Sequence, residues 1–346
     1  MKKVFIDPPS PAYYQNRLFD TMDQNLNRDD SLIPFVRLRE AFNAQDITLD
    51  TADLLPLQAS GQEFCDYYSL GVMEHYRKLR KRTDVRLRSF VIFEPPVVEP
   101  RLYNALPELT MAFEHVYIHN VCGDGYSLKG VDARKLRQLY WPQPREDVIV
   151  RLWEKKGRLR RIVVINGNHV PKPVPNELYS VRIAVMAALA STGAIDLYGR
   201  GWHKWWSRSS MWWPYWKNRS SLMSIYKGAC DSKYEVLSRY EFCLCFENMA
   251  MKGYVTEKIF DCFYAGTIPL YLGAPDIQDL IPKAAYIDCR NFKSWFDMLE
   301  FVQNLSDLEI TSMREAGRQF VRSPQCDKYR EMLMEIFMQR PERYCE

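Results

Sequence analysis

The stretch from Tyr240 to Gly273 reads YEFCLCFENMAMKGYVTEKIFDCFYAGTIPLYLG. The apolar run at 242–246 has the length and bulk of a buried strand. A loop then carries the chain through Gly253 to Thr256, a residue type that caps helices well. The spacing predicts a helix from Glu257 to Ala265, ended by Gly266, and a second strand opening at Thr267-Ile268-Pro269. Strand, loop, helix and strand in this order make one unit of an α/β sheet. Its helix N-terminus opens at the C-terminal edge of the first strand, where ligands of open α/β sheets bind.

Lys258 falls in the first turn of that helix, where the backbone already presents partial positive charge and a cation is disfavoured. An anion at the same place would resolve the conflict, because free N–H groups and an ammonium together make a phosphate site. The alternative is a lysine that points to water and pairs with a surface carboxylate. Glu257 has a plain reading too, as a first-turn acid that favours the dipole.

Working outward, short apolar runs alternate with helical patterns, which predicts α/β architecture with largely parallel sheets. In the first half, strands are expected at 4–7, 47–49, 87–94 and 115–119, with helices at 63–82 and 103–113. Residues 141–161 open on Trp141-Pro142-Gln143-Pro144 and close on a basic run, the composition of a domain boundary. A second series has strands at 162–166, 195–198, 242–246, 268–272 and 285–287 and a helix at 178–190. Three helices, near 292–305, 308–322 and 327–339, form a helical tail. The expectation is two Rossmann-like domains, 1–150 and 151–346, consistent with the 346-residue length.

Composition excludes several classes. The chain is 47% apolar and 26% charged, ordinary for a globular protein and not for a disordered one. No apolar run reaches the ~18 residues of a membrane span. Met-Lys-Lys before Val4-Phe5-Ile6-Asp7 has too short an apolar core for a secretory signal. Nine cysteines without a CxxC pair read as reduced thiols, which points to a cytoplasmic protein. A net charge of +4 gives no reason to expect nucleic acid.

Phe246-Glu247-Asn248 followed by Tyr254-Val255-Thr256-Glu257-Lys258 resembles the signature of the α1,3/4-fucosyltransferases, glycosyltransferase family 10, in their bacterial, soluble form. The flanks 237–242 and 267–273 extend the likeness, as does Ile195-Asp196-Leu197-Tyr198-Gly199-Arg200 upstream. The resemblance covers about residues 160–292. It implies a GT-B fold, with two Rossmann-like domains facing across a cleft, an N-terminal one for the acceptor and a C-terminal one for the donor. It implies an inverting transfer of fucose from GDP-fucose to a glycan, by α1,3 or α1,4 linkage to GlcNAc or Glc. No cofactor and no metal are implied, and the chain has no DxD motif. The resemblance places Lys258 and Arg200 on the diphosphate, with Asn248, Tyr254 and Glu257 around the nucleotide and sugar. Two cations and a helix N-terminus suit a leaving diphosphate that must gain charge without a metal. Another GDP-6-deoxyhexose as donor remains open, as does a non-catalytic sugar-nucleotide or nucleic-acid binder.

An inverting transfer needs a group to take the acceptor's hydroxyl proton. Glu94, after the apolar run 90–93 and before Pro95-Pro96, is the expected base, with Glu99 in reserve. A strand-end glutamate held in an ion pair is the plainer reading. Asn166, Asn168 and Arg182 are further candidates near the donor, although turn chemistry explains the asparagines and a surface position would explain Arg182. His115 and His119, four apart on an expected strand with no third ligand nearby, make a poor metal pair.

Trp202, Trp205, Trp206, Trp212, Trp213 and Trp216 are six of the nine tryptophans, within a span that holds no acid between Asp196 and Asp231. One reading is an insertion packed over the sheet edge. The other is a surface that meets a glycolipid or the inner face of a membrane, where tryptophan and basic residues both concentrate.

Overall fold

The computed structural model describes residues 3–57, 64–204 and 212–338. The chain divides into two compact units, Met1–Pro144 with Asp327–Glu346, and Arg145–Cys326.

The first unit is built on β1 (Lys3–Asp7), β2 (Thr48–Thr51), β3 (Cys65–Ser69), β4 (Val85–Val91), β5 (His115–Ile118) and β6 (Leu136–Gln138). All pairs are parallel, in the order β2-β1-β3-β4-β5-β6. Successive side chains of a strand point to opposite faces, and each face has its own core. Phe5, Tyr67, Phe90 and Val116 enter one; Val4, Ile6, Tyr68, Val91 and Tyr117 enter the other.

Three expectations for this unit are corrected. Residues 63–82 are not one helix: β3 occupies Cys65–Ser69, and the helix is confined to Met73–Leu79. Buried on both faces, the sequence CDYYS shows no alternation to betray it. The strand expected to end at Glu94 ends at Val91, which leaves Glu94 in the following loop. Of the expected tail, the helices Trp295–Asn304 and Asp307–Arg322 stay with the second unit, and only the stretch from Asp327 onward joins the first. The helix Met332–Met338 puts Met332, Leu333, Ile336 and Phe337 into the core beside Val4, Ile6 and Leu38. The Phe337 ring stacks on Tyr68 at 4.2 Å, and the Tyr68 hydroxyl donates to the Phe337 carbonyl at 3.0 Å.

The second unit carries β7 (Leu159–Ile165), β8 (Ile195–Tyr198), β9 (Tyr240–Phe246), β10 (Ile268–Leu272) and β11 (Ile287–Asp288), again all parallel, in the order β11-β10-β9-β7-β8. In both sheets the second strand lies on one side of the first and the third on the other. The strand order therefore reverses between β1 and β3 in one unit and between β7 and β9 in the other. Such reversals leave a crevice at the C-terminal ends of the strands.

The tryptophan-rich segment divides. Trp202 and Tyr215 are buried in the second unit's core, and Trp212 and Trp216 pack against it from beside and within the helix Trp213–Ile225. Trp213 is 75% exposed. Trp205 and Trp206 lie outside the described residues. Among the described residues, no helix is long and apolar enough to cross a membrane, and the cysteines are free thiols.

Candidate functional site

At the end of β9 the chain passes into Glu247, which is fully buried. Its carboxylate accepts from the Thr256 N–H at 2.8 Å, from the Thr256 hydroxyl at 2.8 Å and from the Lys258 ammonium at 3.1 Å. Its own N–H donates to the Leu272 carbonyl at 2.9 Å, so the residue also ties β9 to β10. Gly273 makes room for it, since a Cβ there would lie 2.6 Å from Glu247 Cγ and 2.5 Å from the Tyr271 hydroxyl.

Thr256 caps the helix Glu257–Ala265, with extended backbone and a side chain that accepts from the Lys258 N–H. Lys258 Nζ is 2.9 Å from the Thr256 hydroxyl oxygen and 3.7 Å from Glu257 Oε1. The lysine is 20% exposed and pairs with a buried carboxylate, so the reading of a surface pair is replaced by a built one. Burial pushes the Glu257 carboxyl up, but Lys258, Lys233 and nearby hydrogen bonds outweigh it and hold the group below the usual glutamate range. Lys233 in turn bonds Asp261.

These groups open on a cavity of about 170 Å³ in the β7/β9 crevice, walled by Asn166, Gly167, Lys233, Glu257, Lys258 and Asp261, with Cys243, Cys245 and Cys262 behind. Of the expected donor residues, Asn166, Glu257 and Lys258 meet here. Asn248 and Tyr254 pair with each other instead, Asn248 Nδ2 donating to the Tyr254 hydroxyl oxygen at 3.3 Å, with Tyr254 fully buried. Neither lines the cavity.

The loops after β7 and β8 run side by side. Asn168 N–H donates to the Arg200 carbonyl and Asn166 N–H to the Tyr198 carbonyl, both at 3.0 Å. Gly199, at φ +142°, permits this approach, because a Cβ would sit 1.9 Å from the Asn166 carbonyl oxygen. Trp202 Nε1 donates to that same oxygen at 2.6 Å, and Trp212 Nε1 to Asn168 Oδ1 at 3.5 Å. Asn168 is thus a structural residue of the turn. Arg200 is exposed and does not line the cavity.

Arg182 is neither at the surface nor in the cavity. It is 3% exposed, and its guanidinium donates to the carbonyls of Phe246 at 2.7 Å and Glu247 at 2.9 Å, with the Tyr179 ring beneath it. Burial lowers its pKa. It braces the end of β9 on which Glu247 sits. Sequence reasoning passed over Glu247, Lys233 and Asp261. Glu247 carried a signal, an acid inside an otherwise apolar strand end and nine residues before a threonine cap.

In the first unit, Glu94 and Glu99 both line a cavity of about 510 Å³ with Tyr13, Phe35, Phe93 and Trp141. Phe93 packs edge-on to Trp141 at 5.5 Å. The loop that carries Glu94 is pinned on both sides: the Tyr103 hydroxyl donates to the Glu94 carbonyl at 3.1 Å, and His119 Nε2 lies 2.6 Å from the Phe93 carbonyl oxygen. His119 is buried and stacked on Trp141, a packing role.

A family profile described as Glycosyltransferase family 10 (fucosyltransferase) C-term matches residues 172–314. The chain is 41% identical over 75 residues to an α-(1,3)-fucosyltransferase of Helicobacter pylori, covering 21% of this chain and 16% of that protein. It is 38% identical over 77 residues to an α-(1,4)-fucosyltransferase of Arabidopsis thaliana, covering 22% and 19%. The aligned stretch is therefore less than a fifth of either relative. A crystal structure of an α1,3-fucosyltransferase with GDP superposes with a TM-score of 0.53 at 15% identity, over 99% of this chain and 91% of that one. At that identity the likeness shows the fold, GT-B, alone. Residues 172–314, which hold the helix-end lysine and its buried glutamate, are thus the part of the chain that matches glycosyltransferase family 10, the fucosyltransferases.

Proposed function

We propose that the protein transfers fucose from GDP-fucose to a glycan hydroxyl, with inversion and without a metal. The observation that carries this reading is the Lys258 ammonium, fixed at a helix N-terminus beside a cavity within a family 10 domain. A helix end and a cation together suit a diphosphate that gains charge as it leaves. Arg200, on the loop after β8, supplies the second cation, and Glu257 binds hydroxyls of the ribose or the sugar. Asn248 and Tyr254 shape the loop that leads into the helix, and Arg182 holds the strand end behind it.

The acceptor reaches the first unit's cavity, where Glu94 takes its hydroxyl proton. The acceptor oxygen bonds to the anomeric carbon, the bond from that carbon to the phosphate oxygen breaks, and GDP leaves with the electron pair. Aromatic walls such as Trp141 and Phe93 suit the apolar face of a pyranose.

A donor screen tests this. Several GDP- and UDP-sugars are offered with and without glycan acceptors, in EDTA, and nucleotide release is read. Acceptor-dependent release from GDP-fucose is expected. Release only from UDP-sugars, or only when manganese is restored, would overturn the reading.

A further inference from the structure

The β1/β3 reversal of the first unit holds a second constellation. Asp7, the last residue of β1, is fully buried. His75 Nδ1, from the helix Met73–Leu79, lies 2.9 Å and 3.1 Å from its two carboxylate oxygens. The Tyr67 hydroxyl, from β3, donates to the same carboxylate. Three elements thus converge on one buried acid at the strand ends, where an α/β sheet offers its crevice.

The imidazole is 39% exposed, unlike the acid that holds it. A carboxylate only accepts hydrogen bonds, so Asp7 fixes the proton on Nδ1 and leaves Nε2 with a lone pair. Nε2 has no hydrogen-bond partner among the described residues. Tyr14 lies across the ring at a centroid distance of 6.3 Å. Tyr14 titrates high because of burial and the charges of Asp7, Asp53 and Glu74, the acids facing this place. Burial raises the Asp7 carboxyl above its ordinary value, while Tyr67 and His75 draw it back.

Asp7 and His75 do not themselves line the 510 Å³ cavity, but chain neighbours of the constellation do. Tyr13 of the wall precedes Tyr14, and Leu70 and Gly71 follow Ser69, the register partner of Asp7. A packing histidine would not need a buried acid to set its tautomer while keeping part of its ring in solvent.

We propose that His75, oriented by Asp7, is a specificity residue of the acceptor side: its Nε2 accepts a hydrogen bond from a glycan hydroxyl other than the one glycosylated. This rests on the transferase reading. A site built to receive a hydroxyl discriminates against the analogue lacking it, because its acceptor atom loses that hydrogen bond. His75 therefore governs acceptor KM, and Glu94 governs kcat.

The test uses the full chain and a panel of monodeoxy and O-methyl variants of the best acceptor glycan. For His75→Phe, acceptor KM should rise about 10- to 100-fold with kcat within about threefold and GDP affinity unchanged. One deoxy analogue should lose as much on the wild type and nothing further on His75→Phe. Asp7→Asn, which can face Nδ1 with either its oxygen or its amide, should shift the imidazole tautomer. Long-range ¹H–¹⁵N spectra of the ring show this without turnover, as they do the Nδ1–H form in the wild type. An unchanged KM in His75→Phe, or an Nε2–H tautomer in the wild type, would overturn the proposal. So would a loss confined to kcat, which would make His75 the base. If the wild type transfers to no glycan, the transferase reading fails. Saturation-transfer binding of the same glycans to wild type and His75→Phe then still decides the pair, equal binding counting against it.

Discussion

Lys258 Nζ lies 3.1 Å from Glu247 Oε2, and the carboxylate it meets is fully buried. The pair joins the end of β9 to the first turn of the next helix. A cation beside a helix N-terminus is thereby stabilised before any ligand arrives, by an acid that water cannot reach.

Removing either partner strands the other. Lys258→Ala should cost about 3 kcal/mol of stability, the scale of an unpaired buried charge. It should also weaken GDP binding by about 1.5–3 kcal/mol, the worth of a hydrogen bond to a charged group. Lys258→Met with Glu247→Gln should recover most of the stability and none of the GDP affinity. Urea unfolding and GDP calorimetry on the two variants and the wild type separate the two effects.

Glu94→Gln keeps shape and polarity but cannot take a proton. Turnover should fall by about 10²–10⁴ with GDP affinity unchanged. Steady-state kinetics and calorimetry check it; near-normal turnover would move the base to Glu99, which lines the same cavity.

Glu257 is held below its ordinary range despite burial, by Lys258 and Lys233. A folded value below the unfolded one means that ionised Glu257 adds stability above about pH 4.3, and that this is lost as pH falls through the folded value. Glu257→Gln should therefore lower the urea midpoint at about pH 7 and converge on the wild type toward about pH 3. A deficit that grows in acid would contradict the assigned sign.

The tryptophans give a contrast within one segment. Trp202→Ala should cost about 3–5 kcal/mol, because the ring is core-packed and its N–H is bonded. Trp213→Ser should stay within about 0.5 kcal/mol, as surface changes do. Thermal denaturation of the two variants decides it. Liposome sedimentation of Trp213→Ser beside the wild type shows whether the exposed ring meets a lipid surface.

The second unit's sheet was legible because its strands are apolar runs bounded by plain signals: Thr256 begins a helix, Gly266 ends it, and Ile268 opens a strand. The first unit was legible only in part. Its β3 contains Asp66, Tyr67, Tyr68 and Ser69, polar types that a doubly covered parallel strand can hold only through partners elsewhere, such as Arg86 on Asp66 and Phe337 on Tyr68. Such partners are distant in sequence, so no local pattern announces them. Arg182 failed as a surface residue for the same reason, since only the folded chain brings the carbonyls of Phe246 and Glu247 to its guanidinium. Asp7 and His75, 68 residues apart, carried no motif at all.

The return of the helix Met332–Met338 to the first unit makes the second unit an uninterrupted insertion within the first. During synthesis, all of Arg145–Cys326 is available to fold while Tyr68 still awaits the Phe337 ring that covers it. Order of completion is thus the reverse of order of translation: the unit begun first is the one finished last.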